Sequence, residues 1–250
     1  MPHAGITPAE CAEKLRNASR IAVLTGAGMS TAAGVPDFRG PRGLYVTRAY
    51  DPETVFDIDY FARDPKPFFR FSRDFLGMIA GLQPTYTHRF LVRLEKEGAT
   101  VGIITQNIDG LHRRAGSSTV LPIHGDYLSA HCRRCGHGYD GGELSELMEA
   151  DEVPACRSCG GVVKPDVVFF GEPVRHLAES ERLATESDLM LVLGSSLTVY
   201  PAAALPSLAG GEIVIVNQGP VGRVGAENVY LADTGLDEFF TEVARELGYD

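Results

Sequence analysis

Short runs of apolar, mostly β-branched residues recur along the chain and stop abruptly at small or polar ones. Residues 21–24 stop at Thr25-Gly26-Ala27-Gly28, residues 101–104 at Thr105-Gln106-Asn107, and residues 167–170 at Gly171-Glu172. Residues 189–193 stop at Gly194-Ser195-Ser196 and residues 213–216 at Asn217-Gln218-Gly219. Continuous apolar runs of this length predict strands buried on both faces, and the stretches at 84–98 and 174–187 read as helices between them. The alternation is that of an α/β chain with a parallel sheet covered on both sides. Ligands bind such sheets beyond the carboxyl ends of the strands, where this chain places its unusual polar residues.

Two regions break the alternation. Residues 41–82 concentrate aromatic side chains (Tyr45, Tyr50, Phe56, Tyr60, Phe61, Phe68, Phe69, Phe71, Phe75) and read as a helical insert with its own small core. Residues 127–164 hold four of the five cysteines. The expected organisation is therefore a sheet domain formed by residues 1–40, 83–126 and 165–250, with a small domain made of inserts 41–82 and 127–164. A chain of 250 residues can bury such a core without disulfides.

Cys132-x-x-Cys135 and Cys156-x-x-Cys159, each followed by a glycine, have the spacing of a four-thiolate zinc ribbon. Four thiolates fill a tetrahedral ion and leave no open position, so one structural zinc is expected. Disulfides would need an oxidising compartment, and a redox motif would need only one pair. His131 and His137 flank the first pair as possible substitute ligands, and Cys11 reads as packed in an amphipathic N-terminal helix.

Gly26-x-Gly28 after a strand, leading into Met29-Ser30-Thr31, can present backbone N–H groups to a pyrophosphate at a helix start. The third glycine of the dehydrogenase fingerprint is replaced by Thr31, and no acidic residue ends a second strand about twenty residues on. Phosphate binding fits this loop and hydride transfer does not.

The order of motifs resembles that of the sirtuins, NAD-dependent protein-lysine deacylases. The resemblance rests on Gly26-Ala27-Gly28-Met29-Ser30, Gly34-Val35-Pro36-Asp37-Phe38-Arg39-Gly40, Thr105-Gln106-Asn107-Ile108-Asp109, Leu111-His112 and Ala115-Gly116. It continues through His124-Gly125, the paired Cys-x-x-Cys, Lys164-Pro165, Phe170-Gly171-Glu172, Gly194-Ser195-Ser196-Leu197 and Asn217. Departures are mild: Met29 for isoleucine, Ser195 for threonine and Val216 for isoleucine. Phe56-Asp57-Ile58-Asp59 and Gly40-Pro41-Arg42-Gly43 place the likeness nearest the bacterial and archaeal deacetylase branch.

The resemblance implies a Rossmann-like NAD-binding domain and transfer of an acetyl group from acetyl-lysine to ADP-ribose. The products would be nicotinamide, 2'-O-acetyl-ADP-ribose and free lysine. His124 would be the general base, since an imidazole is neutral and accepting near physiological pH. Gln106, Asn107 and Asp109 would act beside it on ribose hydroxyls and the nicotinamide carboxamide; alternatively, these side chains stabilise their own turn. NAD would be held by Gly26, Ala27, Gly28, Ser30, Thr31, Asp37, Phe38, Arg39, Gln106, Asn107, Ile108, Asp109 and His124. Gly194, Ser195, Ser196, Asn217, Gln218 and Thr234 complete that set. Phe38 would cover the reaction centre against water, with Arg39 and Asp37 ordering its loop. Val168, Phe170, Gly171 and Glu172 on one side and Leu197 and Val199 on the other would receive an extended acetylated peptide as a strand. His88, His112 and His176 read as structural. The resemblance also bears on acyl choice. The Tyr-x-x-Arg pair of desuccinylating sirtuins aligns with Phe69 and Ser72, which leaves no carboxylate anchor, while Arg73 reads as outward and solvated.

A net charge of −10 argues against nucleic acid as the partner and favours lysine-rich targets. No apolar stretch approaches the ~18 residues of a membrane span, and the charged first twenty residues do not read as a leader, so the expectation is a soluble, cytoplasmic protein. A non-enzymatic zinc-ribbon adaptor would explain the cysteines but leave His124 and the Gln106–Asp109 cluster idle. Mono-ADP-ribosyl transfer would use the same NAD site with another acceptor.

Overall fold

The computed structural model describes residues 4–36 and 51–249. Asp37, Phe38, Arg39, Tyr45, Tyr50 and residues 40–43, all singled out above, lie outside the described residues. In chain order the elements are β1 (Ala4–Gly5), α1 (Pro8–Asn17), β2 (Arg20–Thr25), α2 (Pro52–Val55), α3 (Ile58–Arg63), α4 (Lys66–Ile79), α5 (Tyr86–Lys96) and β3 (Thr100–Thr105). They continue with α6 (Leu111–Ala115), β4 (Val120–Pro122), β5 (Ser129–Cys132), β6 (Gly138–Asp140), α7 (Gly141–Ala150) and β7 (Val163–Pro165). The last are α8 (Leu177–Glu186), β8 (Leu189–Leu193), β9 (Glu212–Val216), β10 (Val229–Ala232) and α9 (Leu236–Leu247). No helix among the described residues is long and apolar enough to cross a membrane.

The chain divides into two compact units, Met1–Val35 with Gln83–Ile123 and His176–Asp250, and Pro36–Leu82 with His124–Arg175. The first contains a seven-stranded sheet in the order β1-β10-β9-β8-β2-β3-β4, parallel throughout. Period-two alternation sorts its side chains. Ile21, Val23, Ile103, Leu189, Leu191, Val214 and Val216 join Cys11 and Leu15 of α1, Leu91 of α5 and Phe240 of α9 in one core. The other face is kept low at Gly102 of β3, where an added Cβ would lie 2.6 Å from Leu183 of α8. Local chemistry starts the helices where the sequence suggests. Thr7 and Glu10 form a capping box at α1, with Pro8 in the first turn, and Thr85 does the same at α5 with His88 in the place usually held by Glu or Gln.

The chain leaves β2 for β3 and β4 on one side, then returns to β8 on the other. The carboxyl ends of β2 and β8 therefore form the topological switch point of the sheet.

In the second unit a three-stranded antiparallel sheet, β6-β5-β7, carries the cysteines. Its core is aromatic: the Phe169 ring lies 5.9, 5.3 and 4.7 Å from those of Phe56, Phe61 and Phe68. Two expectations change here. Residues 167–170 are not a strand of the parallel sheet, and residues 124–126 and 165–175 belong to this unit, not to the sheet domain. The cause is pairing: Val168 N–H donates to the His124 carbonyl at 2.8 Å, Asp166 N–H to that of Ser129 at 2.9 Å, and Phe170 N–H to that of Phe56 at 2.7 Å. The aromatic core of residues 51–82 is consequently shared with Phe169 rather than separate.

Candidate active site

Three strand ends are knitted together at the switch point. Gly26 N–H donates to the Leu193 carbonyl at 3.1 Å, Gly28 N–H to that of Gly194 at 2.9 Å, and Gly194 N–H to that of Val216 at 2.9 Å. Side chains are excluded: an added Cβ would sit 2.7 Å from the Gly194 oxygen at position 26 and 2.8 Å from the Gly194 Cα at position 28. Gly194 itself has φ 62°, a left-handed conformation that favours glycine. The loop does not open an α-helix, as the glycine pattern suggested. It continues as two 3-10 turns, Ala27–Met29 and Thr31–Ala33, with buried Ser30 between them. Close backbone packing with no side chain in the way is the surface a pyrophosphate needs, and in that respect the loop fits a dinucleotide.

Around it lies a connected polar group. The Asn107 amide donates to the Gly26 carbonyl at 3.0 Å and to Ser30 Oγ at 3.3 Å, and Ser30 Oγ donates to Asp109 Oδ2 at 2.7 Å. Asp109 Oδ1 accepts from Leu111 N–H at 2.8 Å, so this carboxylate also holds its own turn. Burial raises the Asp109 pKa above the ordinary carboxylate value, against the pull of the Ser30 and Leu111 donors. Gln106 Nε2 reaches Ser195 Oγ at 2.9 Å. The structure thus brings Gly26, Gly28, Ser30, Gln106, Asn107, Asp109, Gly194 and Ser195 together. Ile108 is buried between Asn107 and Asp109. Ser196 bonds Thr198 at 3.1 Å, and Leu197, with φ 53°, directs its N–H to Ser195 Oγ at 3.3 Å. Val199 turns its carbonyl to Ala203 N–H at 2.9 Å. The Asn217 amide closes a local turn onto the carbonyls of Gln218 and Gly219, and half-buried Thr234 follows β10.

Residues predicted from the other motifs lie in the second unit. His124 is half-buried, and Gly125 after it has φ 72° and no room for a Cβ, which would lie 1.8 Å from the Asp166 oxygen. Val168 and Phe170 continue the paired segment, and the Phe170 side chain is 52% exposed. The Glu172 carboxylate faces inward. It accepts from Lys164 Nζ at 2.8 Å and Phe169 N–H at 3.0 Å, and pairs with Arg133 at 3.5 Å. Lys164 is buried, donates to the Val167 carbonyl at 2.6 Å and lies 3.9 Å from the Phe169 ring centre. Neither Lys164 nor Arg133 stands among the residues that the sequence assigns to the site; a lysine before proline, ahead of an apolar run, is the sign that marks Lys164.

The acyl-choice positions are closed to an anion. Phe69 is buried against Phe61 and Phe68, and Ser72 Oγ lies 3.0 Å from the buried Tyr127 hydroxyl. Arg73 is half-buried and not a free surface cation: its guanidinium donates to the carbonyls of Phe69, Met148, Asp151 and Glu152, tying down the end of α7.

Cys132, Cys135, Cys156 and Cys159 converge, with all four Sγ atoms within 4.8 Å of one another. The Cys132–Cys159 and Cys135–Cys156 distances of 3.5 and 3.7 Å match the edge of about 3.8 Å of a tetrahedron with Zn–S bonds near 2.3 Å. Disulfide sulfurs would lie about 2 Å apart. Arg134 N–H donates to Cys132 Sγ at 3.4 Å and the Tyr139 hydroxyl to Cys156 Sγ at 3.1 Å, which suits thiolate ligands. His131 is instead engaged by Asp166 at 2.9 Å, and the His137 ring rests on Tyr139. The set fits one zinc ion held by four sulfurs.

A family model described as the Sir2 family matches residues 26–201. The chain is 42% identical over 238 residues to the NAD-dependent protein deacetylase of Saccharolobus solfataricus, covering 94% of this chain and 90% of that one. It is 44% identical over 211 residues to the protein of the same description from Thermotoga maritima, covering 82% and 85%. A solved structure of Sir2 with a p53 peptide and NAD+ superimposes with a TM-score of 0.87 at 37% identity, covering 98% of this chain and all of the other. A Sir2 complex with a deacetylated p53 peptide and 3'-O-acetyl ADP-ribose gives 0.88 at 37% identity, with coverage of 98% and 100%. Matched along most of its length by the family model and by full-length relatives, the chain belongs to the Sir2 family.

Proposed function

We propose that the protein is an NAD-dependent protein-lysine deacetylase that transfers the acetyl group of acetyl-lysine to ADP-ribose, releasing nicotinamide, 2'-O-acetyl-ADP-ribose and free lysine. The observation that carries this reading is the Ser30–Asn107–Asp109 chain beside a side-chain-free glycine crevice, in a member of this family. When bound, NAD supplies a labile nicotinamide–ribose bond and the sugar carbon that receives the acyl oxygen.

The protein's own groups divide the work. Gly26, Ala27, Gly28, Thr31, Gly194 and Ser195 cradle the phosphates, while Ser196, Asn217, Gln218 and Thr234 serve the adenosine half. Ser30, Gln106, Asn107, Ile108 and Asp109 fix the ribose and carboxamide; Ser30, Asn107 and Asp109 are ordered by their mutual hydrogen bonds and Gln106 by Ser195. His124 accepts the proton of a ribose hydroxyl at its imidazole. Val168, Phe170 and Gly171 pair with an extended peptide, and Glu172 braces this segment from within. The four cysteines hold zinc for structure alone, since no coordination place is left for water. We place the protein in the cytoplasm, where a four-thiolate site stays reduced.

The deciding experiment follows nicotinamide release with and without an acetyl-lysine peptide, with the acetylated product identified by mass. Release only with the peptide, matched by 2'-O-acetyl-ADP-ribose, is expected. Equal release without peptide would replace this reading with ADP-ribosyl transfer, and no release with zinc-loaded protein would reject an enzyme.

A further inference from the structure

Two buried histidines behind the dinucleotide crevice, His88 of α5 and His112 of α6, are used by no step above. Their rings lie 4.5 Å apart, centre to centre, tilted by 53°. Among the described residues, His88 Nε2 and His112 Nδ1 are buried without a hydrogen-bond partner. We propose that His112 is a positioning residue for the NAD site, acting through the Thr25–Thr105 hydroxyl pair on Asn107, with His88 as the ring that shields it. This inference rests on the functional reading above for the identity of the ligand.

The hydrogen-bond pattern assigns the tautomers. His88 Nδ1 accepts from Thr85 N–H at 3.2 Å and faces the Thr85 hydroxyl at 2.8 Å, so its ring hydrogen is on Nε2. Thr25 Oγ1 donates its one hydrogen to Thr105 Oγ1 at 2.9 Å. It must then accept from His112 Nε2, 3.0 Å away, which leaves Nδ1 of that ring with a bare lone pair. The two unpartnered atoms are thus one donor and one acceptor, on rings in contact. Neither ring can gain a proton cheaply: His88 would turn a donor toward Thr85 N–H, and His112 would acquire a second N–H with nothing to receive it.

The relay ends at the site. Thr25 and Thr105 are register partners at the last positions of β2 and β3, and Thr105 Oγ1 accepts from Asn107 N–H at 3.1 Å. One step beyond, the Asn107 amide holds the Gly26 carbonyl and Ser30 Oγ. His112 therefore sets, through two hydroxyls, where the Asn107 side chain stands between the glycine loop and Asp109. The charged groups acting on His88 are Asp237, which favours its protonated form, and Arg89, which opposes it; burial outweighs both. His112 feels His88 and is depressed chiefly by burial.

Two measurements test this. In the intact protein, 15N NMR of the imidazoles at pH 7 and 5.5 should show both rings neutral with the hydrogen on Nε2; a His112 hydrogen on Nδ1, or a charged ring at pH 5.5, would overturn the assignment. Calorimetric Kd for NAD should weaken at least tenfold in His112→Leu and return to within threefold of wild type in His112→Gln, whose amide can donate to Thr25. An unchanged Kd in the leucine variant, or no recovery with glutamine, would refute the positioning role. If the variants do not fold, the tautomers in the wild-type protein still decide. Wild-type protein that binds NAD but releases no nicotinamide would reject the deacetylase reading and leave this one standing.

Discussion

Acid should destabilise the sheet unit through His88. Burial pushes its pKa from the ordinary 6.5 down to about 4, because a charged imidazole beneath α5 would lose its hydration. A histidine depressed in this way contributes stability that is complete above 6.5 and is lost as the pH falls toward 4, since the unfolded chain takes up a proton that the folded chain refuses. Between pH 7.5 and 4.5 the loss is about 2.5 kcal/mol, at ~1.4 kcal/mol per pH unit between the two pKa values. Carboxylates titrate over the same range, so the measurement is a difference between variants. His88→Gln is the suitable partner because glutamine is a normal third residue of a capping box, able to accept from Thr85 N–H while carrying no titratable group. His112, depressed by its own burial, titrates similarly in both proteins and cancels. Urea unfolding at the two pH values, followed by circular dichroism, should show wild type losing about 2.5 kcal/mol more than the variant. Equal losses would mean that the His88 site admits a proton, and would refute the account of it as dry and neutral.

Cys132→Ala should release zinc, detected by a colorimetric chelator, and unfold the ribbon; a folded, zinc-loaded variant would dismiss the four-sulfur site. His124→Ala should abolish deacetylation while calorimetry shows NAD affinity within a few-fold of wild type, and near-normal turnover would remove His124 as the base. Acetyl-lysine should exceed succinyl-lysine in kcat/KM by at least a hundredfold, because Phe69 and Ser72 offer no anchor and Arg73 is already spent on carbonyls; comparable values would show that another cation serves the acyl group. Gly28→Ala forces a Cβ to 2.8 Å from Gly194 Cα and should cost about 1–3 kcal/mol of stability along with NAD affinity, readable as a fall in Tm and a weaker Kd.

The sequence by itself determined the features that depend on local chemistry. Cys-x-x-Cys pairs announce a zinc ribbon because ligand spacing is set by a knuckle of four residues, and the structure converges those four sulfurs. The strands at 21–24, 101–104, 189–193 and 213–216 were legible because burial on both faces demands continuous apolar runs, and each lies within an observed strand, β2, β3, β8 and β9. Gly26, Gly28, Gln106, Asn107 and Ser195 could be marked because they stop those runs, and strand ends are where such sheets bind. Tertiary structure decided what each buried group meets. The run 167–170 has the hydropathy of a sheet strand, yet Phe169 enters the aromatic core of the other unit and Lys164 and Glu172 hold it there. Arg73 looks like a surface cation until the end of α7 brings carbonyls to it. His88 and His112 read as unremarkable helix residues until α5 and α6 lay one ring against the other. Hydropathy records that a side chain leaves water; which donor or acceptor replaces the water is fixed only when distant segments pack.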